Sequence, residues 1–372
     1  MKIVINALQY KPNSSGIGVM LRELFGLYTC MTEYPCQVIL TYDGPEFPTG
    51  NETEIIRCPW KHGQGLRRMF FQTFQLGRKF CRDAVLLTTD SKTPFFLPRS
   101  CALVPLITDL AVFCLPEVYQ RSRVLWWKLQ YFYIRRRAKF FLAISEFTKR
   151  EMTEILGIPA EKIYVVPCAC SGRMGRVEDR EKLEHLKKSY GLTERFVLFV
   201  GNANPRKNLE RMIQAFDLFK EKSGLPHQLI IAGEQGWKFN RENALEGVRH
   251  REDVRFIGFV PDEDMPALYS AADLFVFPTL YEGFGIPVLE AQACGVPVVT
   301  SHCSSLPEVA GEGAKLVNPY EVESICQGML TILQRPKFAK ALVEKGLENV
   351  KRFSWATSAD RLNRILEKEW KL

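Results

Sequence analysis

The 372-residue sequence has no apolar run of the roughly 18–20 residues that a membrane span needs, so nothing in it is expected to cross a bilayer. It also lacks the pattern of a secretory leader. Met1-Lys2-Ile3-Val4-Ile5-Asn6 reads as a short buried strand, with no long apolar stretch and no small-residue cleavage site behind it. There is no Cys-x2-Cys pair. The 11 cysteines are scattered, Cys168 and Cys170 form the one close couple, and no His or further Cys stands near them to complete four metal ligands. Such usage excludes a disulfide framework and fits reduced, buried thiols in a cytoplasmic setting. Solenoid-length repeats and low-complexity tracts are absent too. The chain is not short of positive charge. Its net charge of +8 suits anionic partners, whether nucleotides, phospholipid surfaces or nucleic acid, and chooses none of them.

What is there is ordinary globular material, 46% hydrophobic and 25% charged, in a length that suits two domains. In the first half, Val38–Leu40, Ala84–Leu87, Leu103–Ile107 and Phe140–Ile144 are continuous apolar runs, as strands covered on both faces require. Helix-length segments such as Val19–Met31 and Ser145–Gly157 separate them. Pro167–Asp179 breaks the pattern, with Gly172 and Gly175 and few apolar residues, and reads as a linker. The rhythm then restarts: Phe196–Val200, Gln228–Ala232, Val254–Ile257, Leu274–Phe277, Val296–Thr300 and Lys315–Val317 are strands, with a helix over Leu209–Lys222. Two doubly wound, parallel α/β halves are expected, spanning 1–172 and 180–352 and facing a central cleft, with ligands at the carboxyl ends of the strands.

Two stretches carry chemistry. After the Leu274–Phe277 run comes Glu282-Gly283-Phe284-Gly285-Ile286-Pro287-Val288-Leu289-Glu290, a glycine-bearing turn that opens a helix. Its glycines let backbone amides converge on an anion at the helix start. Glu290 stands among Val288, Leu289, Ala291 and Ala293, where an unpartnered carboxylate would be costly, so a binding role outweighs a structural one. The second stretch, Gly201-Asn202-Ala203-Asn204-Pro205-Arg206-Lys207-Asn208, places two adjacent cations just after a strand and before a helix. There they can neutralise a departing diphosphate without a metal. Gly16 and Gly18, in Ser14-Ser15-Gly16-Ile17-Gly18, also follow a strand, but the third glycine of a dinucleotide fingerprint is missing.

Glu282 through Glu290 resembles the Glu-x7-Glu signature of the retaining family 4 glycosyltransferases, the glycosyltransferase group 1 family of GT-B fold. Gly295–Ser301 and Ser304–Glu308 are similar to that family as well, and the likeness runs along essentially the whole chain. The resemblance implies a metal-independent hexosyltransferase that moves mannose or glucose, with retention, from a GDP- or UDP-sugar to a glycan acceptor, lipid-linked in bacterial surface-polysaccharide synthesis. It implies an acceptor-binding first domain, completed by a carboxy-terminal helix over 353–372, and a donor-binding second domain. Arg206 and Lys207 would hold the donor phosphates, Glu282 with the amides of Phe284, Gly285 and Ile286 the hexose, and Glu290 the ribose. The loop of Val260 would meet the base, and Gly16 and Gly18 would close over the diphosphate. Asp109 belongs to an Ile107-Thr108-Asp109 run where relatives commonly carry His-Asp, and Cys168-Ala169-Cys170 replaces a usual Asn-Gly. These two departures leave open a non-catalytic nucleotide-sugar-binding subunit. A sugar-nucleotide 2-epimerase of the same fold is the other alternative.

Basic and aromatic residues interleave over Arg67–Arg82 and Trp126–Lys139. The mix fits either an anionic membrane surface, here the inner face of the plasma membrane, or helices that turn their rings into the core and their arginines to water. No RNA- or DNA-binding motif accompanies it, so nucleic acid is not an expected partner. Ser145 reads as a helix cap.

Overall fold

The computed structural model describes residues 2–11, 16–50, 52–89, 92–236 and 238–370. Ser14 and Ser15 of the first glycine-bearing turn lie outside the described residues. Contacts divide the chain into two units, Met1–Cys168 with Ser354–Leu372, and Ala169–Phe353.

The first unit is built on a seven-stranded sheet of β1 (Lys2–Asn6), β2 (Cys36–Leu40), β3 (Thr53–Arg57), β4 (Ala84–Thr89), β5 (Ala102–Ile107), β6 (Phe141–Ala143) and β7 (Ile163–Val165), in the order β3-β2-β1-β4-β5-β6-β7. Every pairing is parallel. β1 and β4 are buried along almost their whole length because helices cover both sheet faces. β3 was not legible in the sequence. It is an edge strand with Glu54, Ile55 and Arg57 exposed, so it has no continuous apolar run. Residues 17–31 form one helix that widens to a π turn over Leu21–Phe25, and residues 65–80 do the same over Phe71–Gln75. Ser145 caps the helix Glu146–Leu156 by accepting from the Thr148 amide at 3.0 Å. The helix Trp355–Trp370 also belongs to this unit. It buries Leu362, Ile365 and Leu366, and its Ser358 hydroxyl donates to the Pro167 carbonyl.

The second unit holds six parallel strands, β8 (Phe196–Val200), β9 (Gln228–Ala232), β10 (Val254–Gly258), β11 (Leu274–Phe277), β12 (Val298–Ser301) and β13 (Lys315–Val317), in the order β10-β9-β8-β11-β12-β13. Residues 169–179, which read as a linker, pack into this unit. Met174 and Val177 lie against its core, and the Val177 amide donates to Ser270 Oγ at 3.0 Å. Chain direction along the sheet reverses between β8 and β11, and at such a switch the loops leaving the two strands diverge and open a crevice at their carboxyl ends.

Candidate active site

Both chemical stretches leave the switch point of the second sheet: Arg206 and Lys207 follow β8, and Glu282 follows β11. The two loops are tied by backbone, the Leu280 amide donating to the Arg206 carbonyl at 2.9 Å. Asn208 adds a clasp. Its side-chain amide donates to the carbonyls of Pro278 and Pro319 while its own backbone turns left-handed, at φ 60°, to start the helix Leu209–Ser223. This turn brings three charged side chains together. Lys207 Nζ lies 2.9 Å from Glu282 Oε1, and Arg206 Nη1 lies 3.4 Å from Glu282 Oε2. Arg206 also donates to the Tyr281 carbonyl at 2.9 Å, and the Lys207 ammonium sits 4.5 Å from the centre of the Phe277 ring.

All three groups are largely out of water, and that governs their titration. Burial would raise the Glu282 carboxyl, but Arg206 and Lys207 hold it below its ordinary value. Burial pushes the Lys207 ammonium down, with Glu282 opposing and Arg206 adding to the effect. The backbone around Glu282 is pinned as well. Its amide donates to Ser304 Oγ at 3.2 Å, and Ser305 Oγ lies 2.8 and 2.7 Å from the carbonyls of Glu282 and Phe284. Two cations and one carboxylate give the three side chains a net positive charge.

Gly285, at φ 110°, makes the turn from this loop into the helix Ile286–Ala293. Glu290 lies one turn along. It is not beside Glu282's cations; Tyr269 Oη donates to its Oε2 at 2.8 Å. Burial raises the Glu290 carboxyl to about 7, with Tyr269 opposing and Asp262 reinforcing. Tyr269 stands 21 residues upstream in another helix, Met265–Ala271, and no local signal marked it. Cys170 faces the same carboxylate, and burial with that charge lifts its thiol to about 11, so it stays protonated. Val260, buried, follows β10 on the other side of β9.

The remaining candidates lie in the first unit. Gly16, at φ 57°, immediately precedes the helix that contains Gly18, after β1. Asp109 follows β5 and is occupied locally. Its Oδ1 accepts from the Ala111 amide at 3.0 Å, and its carbonyl accepts from Tyr131 Oη. Thr108 beside it is buried.

A family model described as glycosyl transferases group 1 matches residues 178–349. The O-antigen chain mannosyltransferase B of Escherichia coli is 35% identical over 263 residues, which are 70% of this chain and 69% of that one. The chain belongs to the group 1 glycosyltransferases. The serotype-specific mannosyltransferase WbdA of Escherichia coli is 32% identical over 61% of this chain but only 29% of its own greater length. Among solved structures, Anabaena HepE in complex with UDP-glucose is similar with a TM-score of 0.75 at 18% identity, over 99% of this chain and all of that one. Both units of this glycosyltransferase therefore carry the doubly wound sheets of the GT-B fold. Among the described residues no helix is long and apolar enough to cross a membrane.

Proposed function

We propose that this glycosyltransferase moves a hexose, with retention of anomeric configuration, from a GDP- or UDP-sugar to a glycan acceptor in surface-polysaccharide synthesis, without a metal. The observation that carries the reading is the convergence of Arg206 and Lys207 on Glu282 at the β8–β11 switch point. A diphosphate leaving group develops about two to three negative charges, and preplaced cations stabilise it without reorganising. Arg206 and Lys207 supply those cations. Amides at the start of Ile286–Ala293 add partial positive charge. Glu282, with one face toward its cations, takes the donor hexose hydroxyls, and Glu290, held by Tyr269 Oη, takes the ribose. The mannosyltransferase names of the relatives favour mannose, and the UDP-glucose of the structural relative keeps glucose and a uridine base within the reading. The O-antigen name of the first relative favours a polysaccharide-chain acceptor, and the reading takes that acceptor as lipid-linked.

A thermal-shift panel of GDP, UDP, GDP-mannose and UDP-glucose tests the donor site, because a ligand that binds only the folded state raises its melting temperature. One nucleotide series is expected to stabilise the protein, and Lys207→Ala is expected to abolish that shift and to lower turnover about 100- to 1,000-fold, as loss of a charge-stabilising group does. No shift with any nucleotide at millimolar concentration would sink the donor assignment. Nucleoside diphosphate release that needs no acceptor would point instead to the 2-epimerase class.

A further inference from the structure

Half of the large apolar side chains that stand exposed among the described residues fall between positions 66 and 132, all in the first unit. On the helix Arg121–Arg137 they are Leu125, Leu129 and Phe132, whose spacing of four and three puts them on one face, while Gln130, Tyr131 and Ile134 of the opposite face are buried. A helix at a water surface is expected to be polar on its outer side. This one interleaves Leu125, Leu129 and Phe132 there with the exposed Arg121, Lys128, Arg135 and Arg136. In residues 65–80, Phe71 and Leu76 turn into the core, whereas Leu66 is 80% exposed and Met69, Phe70 and Phe74 stand out with it. The two expectations for this basic and aromatic stretch are thus divided between alternate sides of the same helices.

Ring contacts join the helices into one belt. Phe70 meets Phe74 at 5.0 Å, and Phe74 meets Phe96 at 5.8 Å. The adjoining Phe95 packs on Trp126 at 5.4 Å and Tyr133 at 5.2 Å. Charge is segregated with the rings. Residues 65–82, 92–100 and 121–139 contain fourteen of the 50 Lys and Arg and none of the 42 Asp and Glu, so the rest of the chain is net acidic. Some of these cations lie on the rings themselves, Arg136 at 3.6 Å from the centre of Phe132 and Arg78 at 4.7 Å from that of Phe96.

We infer that this belt is the surface by which the protein docks on an anionic lipid bilayer, its apolar side chains at the acyl boundary and its cations among the headgroup phosphates. Charge complementarity selects that occupant. A second copy of the chain would set cations against cations. Leu66, Met69, Leu125 and Leu129 have no ring on which a nucleobase stacks, which disfavours single-stranded nucleic acid. The inference stands apart from the donor-site reading, and it gives a lipid-linked acceptor a place to be met.

The test is sedimentation of the full chain with vesicles of phosphatidylcholine containing about a third phosphatidylglycerol, against phosphatidylcholine alone. The protein is expected to pellet with the anionic vesicles and to partition about tenfold less in high salt or after Arg121→Glu with Lys128→Glu and Arg135→Glu. Leu125→Ser with Leu129→Ser and Phe132→Ser changes no charge and is expected to weaken binding comparably, since apolar insertion is lost. All six positions are exposed, so melting temperature and transfer to a water-soluble acceptor should stay at wild-type values. Failure of the wild type to pellet with anionic vesicles, or pelleting that survives both triple variants, overturns the proposal. Retention on single-stranded DNA, or a dimer dissolved by the serine variant, without vesicle binding also overturns it and names the other occupant.

Discussion

Glu282 and Glu290 are both carboxylates of one short motif, and their surroundings push them in opposite directions. Glu282, between two cations, stays ionised and competes for the positive charge that a diphosphate would use. Glu282→Gln is therefore expected to bind nucleoside diphosphate more tightly while turning over more slowly. Calorimetry alongside steady-state kinetics reads both, and weaker diphosphate binding would show that the carboxylate orders the cations more than it screens them. Glu290, with Tyr269 as its hydrogen-bond donor, is raised by burial to about 7. If ribose hydroxyls need the ionised form as acceptor, nucleotide affinity rises with pH between about 6 and 8. Glu290→Gln is expected to flatten that profile relative to the wild type, and identical profiles would remove Glu290 from the ribose.

At the scale of elements, the site depends on how the turn after β11 enters the helix Ile286–Ala293. Gly285 holds φ 110°, a region side-chain-bearing residues rarely occupy, and a Cβ there would meet Leu306 Cδ2 at 2.6 Å. Gly285→Ala is expected to cost about 1–3 kcal/mol in denaturant unfolding and to weaken donor binding, because the strained turn sets the direction of the helix amides. An unchanged midpoint would mean that the turn relaxes freely. The continuous runs of β8, β9 and β11 were readable residue by residue, since strands covered on both faces must be apolar throughout. β3, with one edge and an exposed face, obeys no such rule, and β7 is only three residues long.

For the whole molecule, acid stability has an identifiable weak point in the second unit. His227 is fully buried, its pKa lowered to about 4 by burial, with Arg195 and Lys220 adding repulsion, and its Nε2 lies 3.6 Å from Asp273. Its folded value lies below its ordinary 6.5, so the fold favours the neutral ring. The stability it contributes is whole above about 6.5 and is lost as pH falls toward about 4, because the unfolded chain takes up the proton first. Acid unfolding followed by hydrogen exchange should show protection falling over that range in residues 196–232 before the first unit. His227→Gln should remove that slope, and a wild type with a flat stability from pH 6.5 to 4 would contradict it.

The sequence by itself determined the α/β class, the parallel strands of both units and the residue types of the donor motif, since burial on both faces and a glycine turn before a helix are local demands. It also marked the basic, aromatic segments without saying which side of each helix faces out. Tertiary structure decided the partnerships. Glu282 meets Lys207 across 75 residues, Glu290 meets Tyr269 across 21, and Phe74 is joined to Trp126 through the Phe96–Phe95 corner. Such contacts are set by the order of strands in a sheet, and strand order follows from packing among distant segments, which no local pattern encodes.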